Sequence, residues 1–140
     1  MGIWECLNFL EKSTRPDIAY AVHQCARFCC EPKQSHIDAV IHLAKYLQGT
    51  KDKGIIFNPC KDKSFETYAD ADFAGNWNKN TAEEDPSTAK SRSGYLITLG
   101  SSPVLWSSKL QTQIALSTTE AEYMALSQAL RETIWESGSL

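Results

Sequence analysis

FETYADADFAGNW, residues Phe65 to Trp77, sets two aspartates one residue apart where an apolar run gives out. Ser64 to Asp70 has the composition and length of a β-strand, and Asn76 to Ser91, rich in Asn, Thr, Ser, Asp and Glu, reads as a long loop. Side chains in a strand repeat every two residues, so Asp70 and Asp72 share a side if the strand persists, and together they can grip one cation. An EF-hand calcium loop is the first rival. Asp70, Asp72 and Gly75 fit positions one, three and six, but Ala74 and Thr81 stand where ligands five and twelve belong. A diphosphate-chelating Asp-x-Asp of the sugar-nucleotide transferases needs a larger sheet than this chain can build. The plain alternative is a pair of solvated aspartates at a strand end.

Downstream, Ser93 to Leu99 and Val104 to Ser107 read as strands joined by Gly100-Ser101-Ser102-Pro103, a hairpin signal. A last helix is predicted from about Thr118 to Trp135. Upstream, Ile55-Ile56-Phe57 reads as a short strand closed by Asn58-Pro59. Two helices precede it. Thr14-Arg15-Pro16-Asp17 offers a capping threonine, a first-turn proline and an acid, followed by Ile18, Ala21, Val22, Cys25 and Phe28 at helical spacing. Ser35 with Asp38 starts the second, with Ile37, Val40, Ile41, Ala44 and Leu47 on one stripe and Gly49 at its end.

The last helix brings a second pair of acids. In ALSTTEAEYMALSQALRETI, Glu122 falls on the period of Ala125, Leu126, Ala129 and Thr133, whose small side chains suit packing on a sheet. This predicts that Glu122 points from the first turn towards the strands. Glu120 has a local use as partner of Ser117 in a capping box, and a similar box of Thr119 with Glu122 is the plain reading of Glu122. An acid on a strand and an acid on the first turn of a helix across it form a pair able to share divalent cations. Such pairs suit phosphodiester hydrolysis.

Composition narrows the classes. With 140 residues, 42% hydrophobic, the chain has material for a folded domain, not a disordered segment. The net charge of −3 excludes a strongly basic nucleic-acid module, and residues 61–140 carry eleven acids against seven Lys and Arg. No run approaches the roughly 18 apolar residues of a membrane span, and MGIWECLNFLEK has an acid where a signal peptide is basic, so an intracellular, cytoplasmic location is expected. The five cysteines, Cys6, Cys25, Cys29, Cys30 and Cys60, lack zinc-site spacing and read as reduced thiols.

Taken in order, STRPDIAYAVHQCARF, YLQGTKDKGIIF, YADADFAGNW, SRSGYLITLG and WSSKLQTQIALSTTEAEYMALSQAL resemble the tail of the Pol polyprotein of copia-type LTR retrotransposons, over about Leu7 to Trp135. The resemblance implies an α+β architecture: residues 1–58 as the end of the reverse transcriptase with its connection helices, and residues 59–140 as part of a ribonuclease H-like mixed sheet. By that likeness Asp70 matches the first catalytic acid, with Asp72 as its neighbour, and Glu122 matches the second, with Glu120 in reserve. Ser117, Thr118 and Thr119 match polar residues that touch the sugar-phosphate of a hybrid, and Arg92, Lys109 and Gln111 are further expected backbone contacts.

The reaction so implied is endonucleolytic hydrolysis of the RNA strand of an RNA–DNA hybrid with Mg²⁺ or Mn²⁺, leaving a 3′-hydroxyl and a 5′-phosphate. The partners would be the hybrid and the remainder of the polyprotein, inside a virus-like particle in the intact family. The family's third acid and its fourth acid or histidine lie beyond the matched helix, so weak metal binding and no appreciable nuclease activity are expected of these residues alone. A strand without its usual neighbour would favour self-association. From a different class, the chain would be a non-catalytic nucleic-acid-binding or assembly module, or a relic without a selected role.

Overall fold

A computed structural model describes residues 2–58, 64–80 and 82–138, apart from the side chains of residues 136 and 137. Pro59, Cys60 and Thr81 lie outside the described residues. The chain forms two compact units divided after Ile56.

The first unit holds α1 (Ile3–Ser13), a 3-10 turn (Pro16–Ile18), α2 (Ala19–Ala26) and α3 (Gln34–Gly49). The sequence reading missed α1. Trp4, Leu7 and Leu10 recur at helical spacing, the Gly2 N–H donates to Glu5 Oε2 at 2.9 Å, and Pro16 stops propagation. Thr14 therefore closes α1, its N–H bonding Leu10 O, and is not the predicted cap of the next helix. Helix α2 ends at Ala26, before Phe28. Helix α3 is capped by the Lys33 N–H donating to His36 Nδ1 at 3.0 Å, not by Ser35. Its buried residue is Leu43, whereas Ile37 and Ile41 of the expected stripe are exposed, because the helix meets the core along Leu43 and Leu47. That core is Leu7, Ile18, Val22 and Leu43, flanked by Trp4, Leu10, Ala21 and Leu47.

Arg15 ties this unit together. Its guanidinium, buried, donates to both carboxylate oxygens of Asp17 (2.9 and 2.8 Å), to Thr50 O (3.0 Å) and to Thr50 Oγ1 (2.7 Å), while Tyr46 Oη donates to Asp17 Oδ2 (2.8 Å). Arg15 holds the Asp17 carboxyl down to about 2, with the Tyr46 hydroxyl adding to the effect. A depressed carboxylate stabilises the fold fully above its unfolded value near 4 and loses that contribution as pH falls towards 2. Asp17→Asn is expected to abolish this acid dependence; because the Asp17 side chain is 38% exposed, its cost at neutral pH is about 1 kcal/mol. Urea melts at pH 7 and pH 3 check both values.

The second unit holds β1 (Phe65–Asp72), a 3-10 turn (Pro86–Ala89), β2 (Arg92–Leu99), β3 (Ser102–Leu110) and α4 (Thr118–Gly138). The strands form one antiparallel sheet in the order β1-β2-β3, so β1 and β3 are its edges among the described residues. Leu99 pairs with Ser102, which leaves a two-residue loop; Gly100 (φ 53°) and Ser101 (φ 68°) both adopt the left-handed backbone that such a hairpin turn requires. Ile97 pairs with Leu105 and Thr98 with Pro103, so Val104 is the extra residue of a bulge. Ile55 to Phe57 form no strand, contrary to the sequence reading; Ile56 and Phe57 are exposed and pair with no other strand.

Helix α4 packs on β1 and β2 through Ala121, Ala125 and Ala129, all buried, over the fully buried Ile97. Methyl-sized side chains at every fourth residue let the helix lie close to the sheet. The architecture is thus α+β. No helix among the described residues is long and apolar enough to cross a membrane. Cys6, Cys25, Cys29 and Cys30 are free thiols, and burial pushes that of Cys25 up.

Candidate functional site

Two contacts fix how α4 runs along the sheet. At one end, Thr67 Oγ1 and Thr133 Oγ1 are hydrogen-bonded at 2.8 Å. At the other, Gln111 Nε2 donates to Ala121 O and to Ser93 Oγ, each at 2.9 Å, and Ser93 pairs with Ala71 of β1. From Thr133 back to Ala121 is about 18 Å of helix, and from Thr67 on to Ala71 is about 13 Å of strand. The helix therefore runs against β1, and the C-terminal end of β1 lies at the same end of the unit as the first turn of α4. Asp70 and Glu122 are both there.

Faces matter as well as ends. Thr67 meets α4, so Ala69 and Ala71 share its side, while Glu66, Tyr68 and Asp70 leave the sheet on the other; the bond from Tyr68 Oη to Glu66 Oε2 (3.1 Å) lies on that face. Asp70 is exposed. Glu122 is exposed too, one position round from the Ala121, Ala125 and Ala129 stripe, and is not packed towards the strands as its period had predicted. The stripe takes Ala121 in its place, because a stride of four residues along the helix fits the sheet. Neither Asp70 nor Glu122 has a hydrogen-bond or ion-pair partner among the described residues.

Their neighbours do. Asp72 Oδ1 accepts from the Arg92 N–H at 2.6 Å, and the same carboxylate closes over the Ala74-Gly75 turn. Ala74 has φ 49°, and a Cβ at Gly75 would sit 2.5 Å from Asp72 Oδ2, so only glycine fits there without moving Asp72. The Ser117 hydroxyl accepts from the Glu120 N–H at 3.1 Å, and Glu120 Oε2 accepts from the Leu116 N–H at 2.7 Å. This is the expected cap displaced by one residue, and it stabilises the first turn of α4. No corresponding bond joins Thr119 to Glu122 among the described residues.

The expected nucleic-acid contacts divide. Thr118, Thr119 and Lys109 are exposed. Arg92 and Gln111 are instead buried, each with internal partners. Arg92 Nη1 donates to Ser108 O at 3.1 Å, and Gln111 holds the first turn of α4 to the sheet. Their positions at a strand's start and end suggested exposure, and nothing in the local pattern signals the inward turn. The sequence reading also passed over Gln128, Arg131 and Trp135, which with Lys109 and Gln111 line one groove.

Comparison with known proteins places this arrangement. The retrovirus-related Pol polyprotein from transposon TNT 1-94 of Nicotiana tabacum is 42% identical over 122 residues, 87% of this chain and 8% of that polyprotein. The retrovirus-related Pol polyprotein from transposon RE1 of Arabidopsis thaliana is 37% identical over 134 residues, 96% of this chain and again 8% of the polyprotein. Secreted RxLR effector protein 161 of Plasmopara viticola is 39% identical over 129 residues, 92% of this chain and 84% of that protein. The chain belongs to the copia-type retrotransposon Pol family. It spans about a twelfth of the length of the two Pol polyproteins, 8% in each case. No protein-family model and no solved structure matches this Pol segment. Asp70 and Glu122 fall within the 134-residue stretch that the RE1 polyprotein matches.

Proposed function

We propose that this segment of a Pol polyprotein supplies the first two acids, Asp70 and Glu122, of a ribonuclease H-like metal site acting on the RNA strand of an RNA–DNA hybrid. One observation carries it: at the end of the unit where β1 finishes and α4 begins, these two carboxylates are exposed and unpartnered among the described residues, with Asp70 on the face of the sheet away from α4, so that a shared ion would sit at the end of the sheet and not between sheet and helix. The acids beside them, Asp72 and Glu120, each accept a backbone N–H and shape the turn and the cap. Three antiparallel strands followed by a helix across them fit the opening of a ribonuclease H-like fold.

Carboxylate oxygens are the hard donors that Mg²⁺ and Mn²⁺ prefer. The described residues hold no group of three or more His, Cys, Asp or Glu placed around one ion, so Asp70 and Glu122 are a partial set that the rest of the polyprotein would complete. When bound, the metal supplies charge neutralisation at the phosphodiester and an acidified water. The chain's own residues position it: Gln111 fixes the first turn of α4, Asp72 fixes the exit of β1, and Thr118 and Thr119 offer hydroxyls to a sugar-phosphate backbone.

Thermal unfolding with and without Mg²⁺ tests the reading. A site of about 1 mM affinity gains about 1.4 kcal/mol at about 10 mM Mg²⁺, which raises Tm by several degrees. Asp70→Asn and Glu122→Gln are each expected to remove that rise while leaving the metal-free Tm unchanged. A rise that survives both substitutions would sink the assignment.

A further inference from the structure

The two edges of the sheet are built differently. β3 is guarded: Pro103 has no N–H to offer, Val104 bulges out of register, and Lys109 stands near its end. Each of these devices deters a further strand. β1 carries none of them. Its eight residues, FETYADAD, hold no proline, bulge or lysine, and among the described residues they pair in continuous register with β2 alone. The Gly100 N–H donates to Ser64 O at 3.1 Å, which turns the backbone groups of Ser64, and of every second residue after it, towards the hairpin. Phe65, Thr67, Ala69 and Ala71 therefore direct their N–H and C=O groups to the open side.

The helix layer over the same edge is apolar. Around α4, Thr133 lies over β1, where it bonds Thr67, whereas Gln128 and Glu132 line the groove beside β3. Leu126 and Leu130 fall on the β1 flank with Thr133, and Ile134 adjoins them. They are 44%, 47% and 69% exposed. An open strand edge and an apolar helix stripe thus form one continuous surface. Its spacing suits a copy of itself. Strands pair about 4.8 Å apart, and α4 lies over β1 and β2. A second copy joined through β1 would therefore bring its α4 to about 10 Å from the first, the distance at which helices pack.

We infer that two copies of this chain associate through β1, antiparallel about a two-fold axis at Thr67, joining their sheets into one and setting the α4 stripes against each other. The register follows from charge. Centred on Thr67, Glu66 faces the partner's Tyr68 and Asp70 faces the partner's Ser64. Centred on Tyr68 or Ala69, Glu66 instead faces the partner's Asp70 or the partner's Asp72, like charge against like, which is destabilising across a strand pair. The contact is isologous, the form a two-fold dimer requires. It forms about six backbone hydrogen bonds and buries about 1,200 Å² in total, the lower end for a specific interface. The self-association expected of a strand without a neighbour thus acquires a place and a register.

The test uses the whole chain in EDTA, so that failure of the metal site cannot affect it, and in reductant, so that the free thiols cannot link chains. Sedimentation velocity is expected to show a reversible monomer–dimer equilibrium with a Kd of about 10 μM. Ala69→Pro removes an N–H on the open side and no bond to β2, so it should leave the sheet standing and weaken the dimer about tenfold or more. Leu130→Glu places two like charges at the helix seam and should weaken it about as much. Leu130 is exposed in the single chain, and far-ultraviolet circular dichroism confirms folding of both variants. A parent chain that stays monomeric at about 200 μM overturns the inference and leaves the edge to a strand from elsewhere in the polyprotein. A dimer of unchanged affinity in both variants overturns it as well, because it forms through another surface.

Discussion

Ile97→Ala is expected to lower the stability of the second unit by about 3 kcal/mol. Ile97 sits on the central strand with no exposed surface, and it is the one large, fully buried apolar side chain that the described residues of this unit contain. Its cross-strand neighbours are Thr67 on β1 and Leu105 on β3. Above it, Ala121, Ala125 and Ala129 bring nothing longer than a methyl group, so no neighbour can swing in to fill the void. Large-to-small changes cost most where the surroundings cannot collapse. Urea unfolding followed by circular dichroism measures the loss. Val104→Ala is the control, since Val104 is the exposed bulge residue and its truncation should cost well under 1 kcal/mol. Equal midpoint shifts for the two variants would place the core elsewhere.

Gln111→Ala is expected to cost about 2–3 kcal/mol and to erase the Mg²⁺ stabilisation. The substitution deletes both N–H groups that bind Ser93 Oγ and Ala121 O, the latter an extra bond to a carbonyl that lies within the helix, while the backbone bond from Gln111 to Ser91 O survives. The relieved Oε1 offsets part of the loss. What is lost is the tether between the sheet and the first turn of α4, where Glu122 stands. The informative comparison is therefore between stability and metal response. A variant destabilised by the stated amount that still gains from Mg²⁺ would mean that the Ser117–Glu120 cap alone positions the helix start.

Much of this molecule was open to reading from residue patterns, and the exceptions have physical causes. The hairpin was legible because Gly100-Ser101-Ser102-Pro103 between apolar runs is a local signal, though the turn itself is only Gly100 and Ser101, and Ser102 and Pro103, read as turn, already belong to β3. The strand through Asp70 and the helix from Thr118 were legible for the same reason. Helix α1 was missed because it begins on a glycine with no side-chain cap, and only its packing against Ile18, Val22 and Leu43 makes its stripe apolar in effect. Ile55-Ile56-Phe57 has strand composition but no neighbouring strand to pair with, and pairing is not written in three residues. At the candidate site, spacing located Asp70, Asp72, Glu120 and Glu122 correctly along their elements. It did not give the helix rotation: Ala121 and Glu122 differ by 100° around α4, and contact with the sheet chooses between them. The inward turn of Arg92 and Gln111 is likewise a tertiary choice.

The tight loop at Gly100 and Ser101 has a kinetic corollary. Strands joined by two residues meet within microseconds, whereas β1 must be brought back across the nineteen residues between Asp72 and Arg92, at a much larger entropic penalty. The hairpin is thus the natural nucleus, and β1 docks onto finished structure.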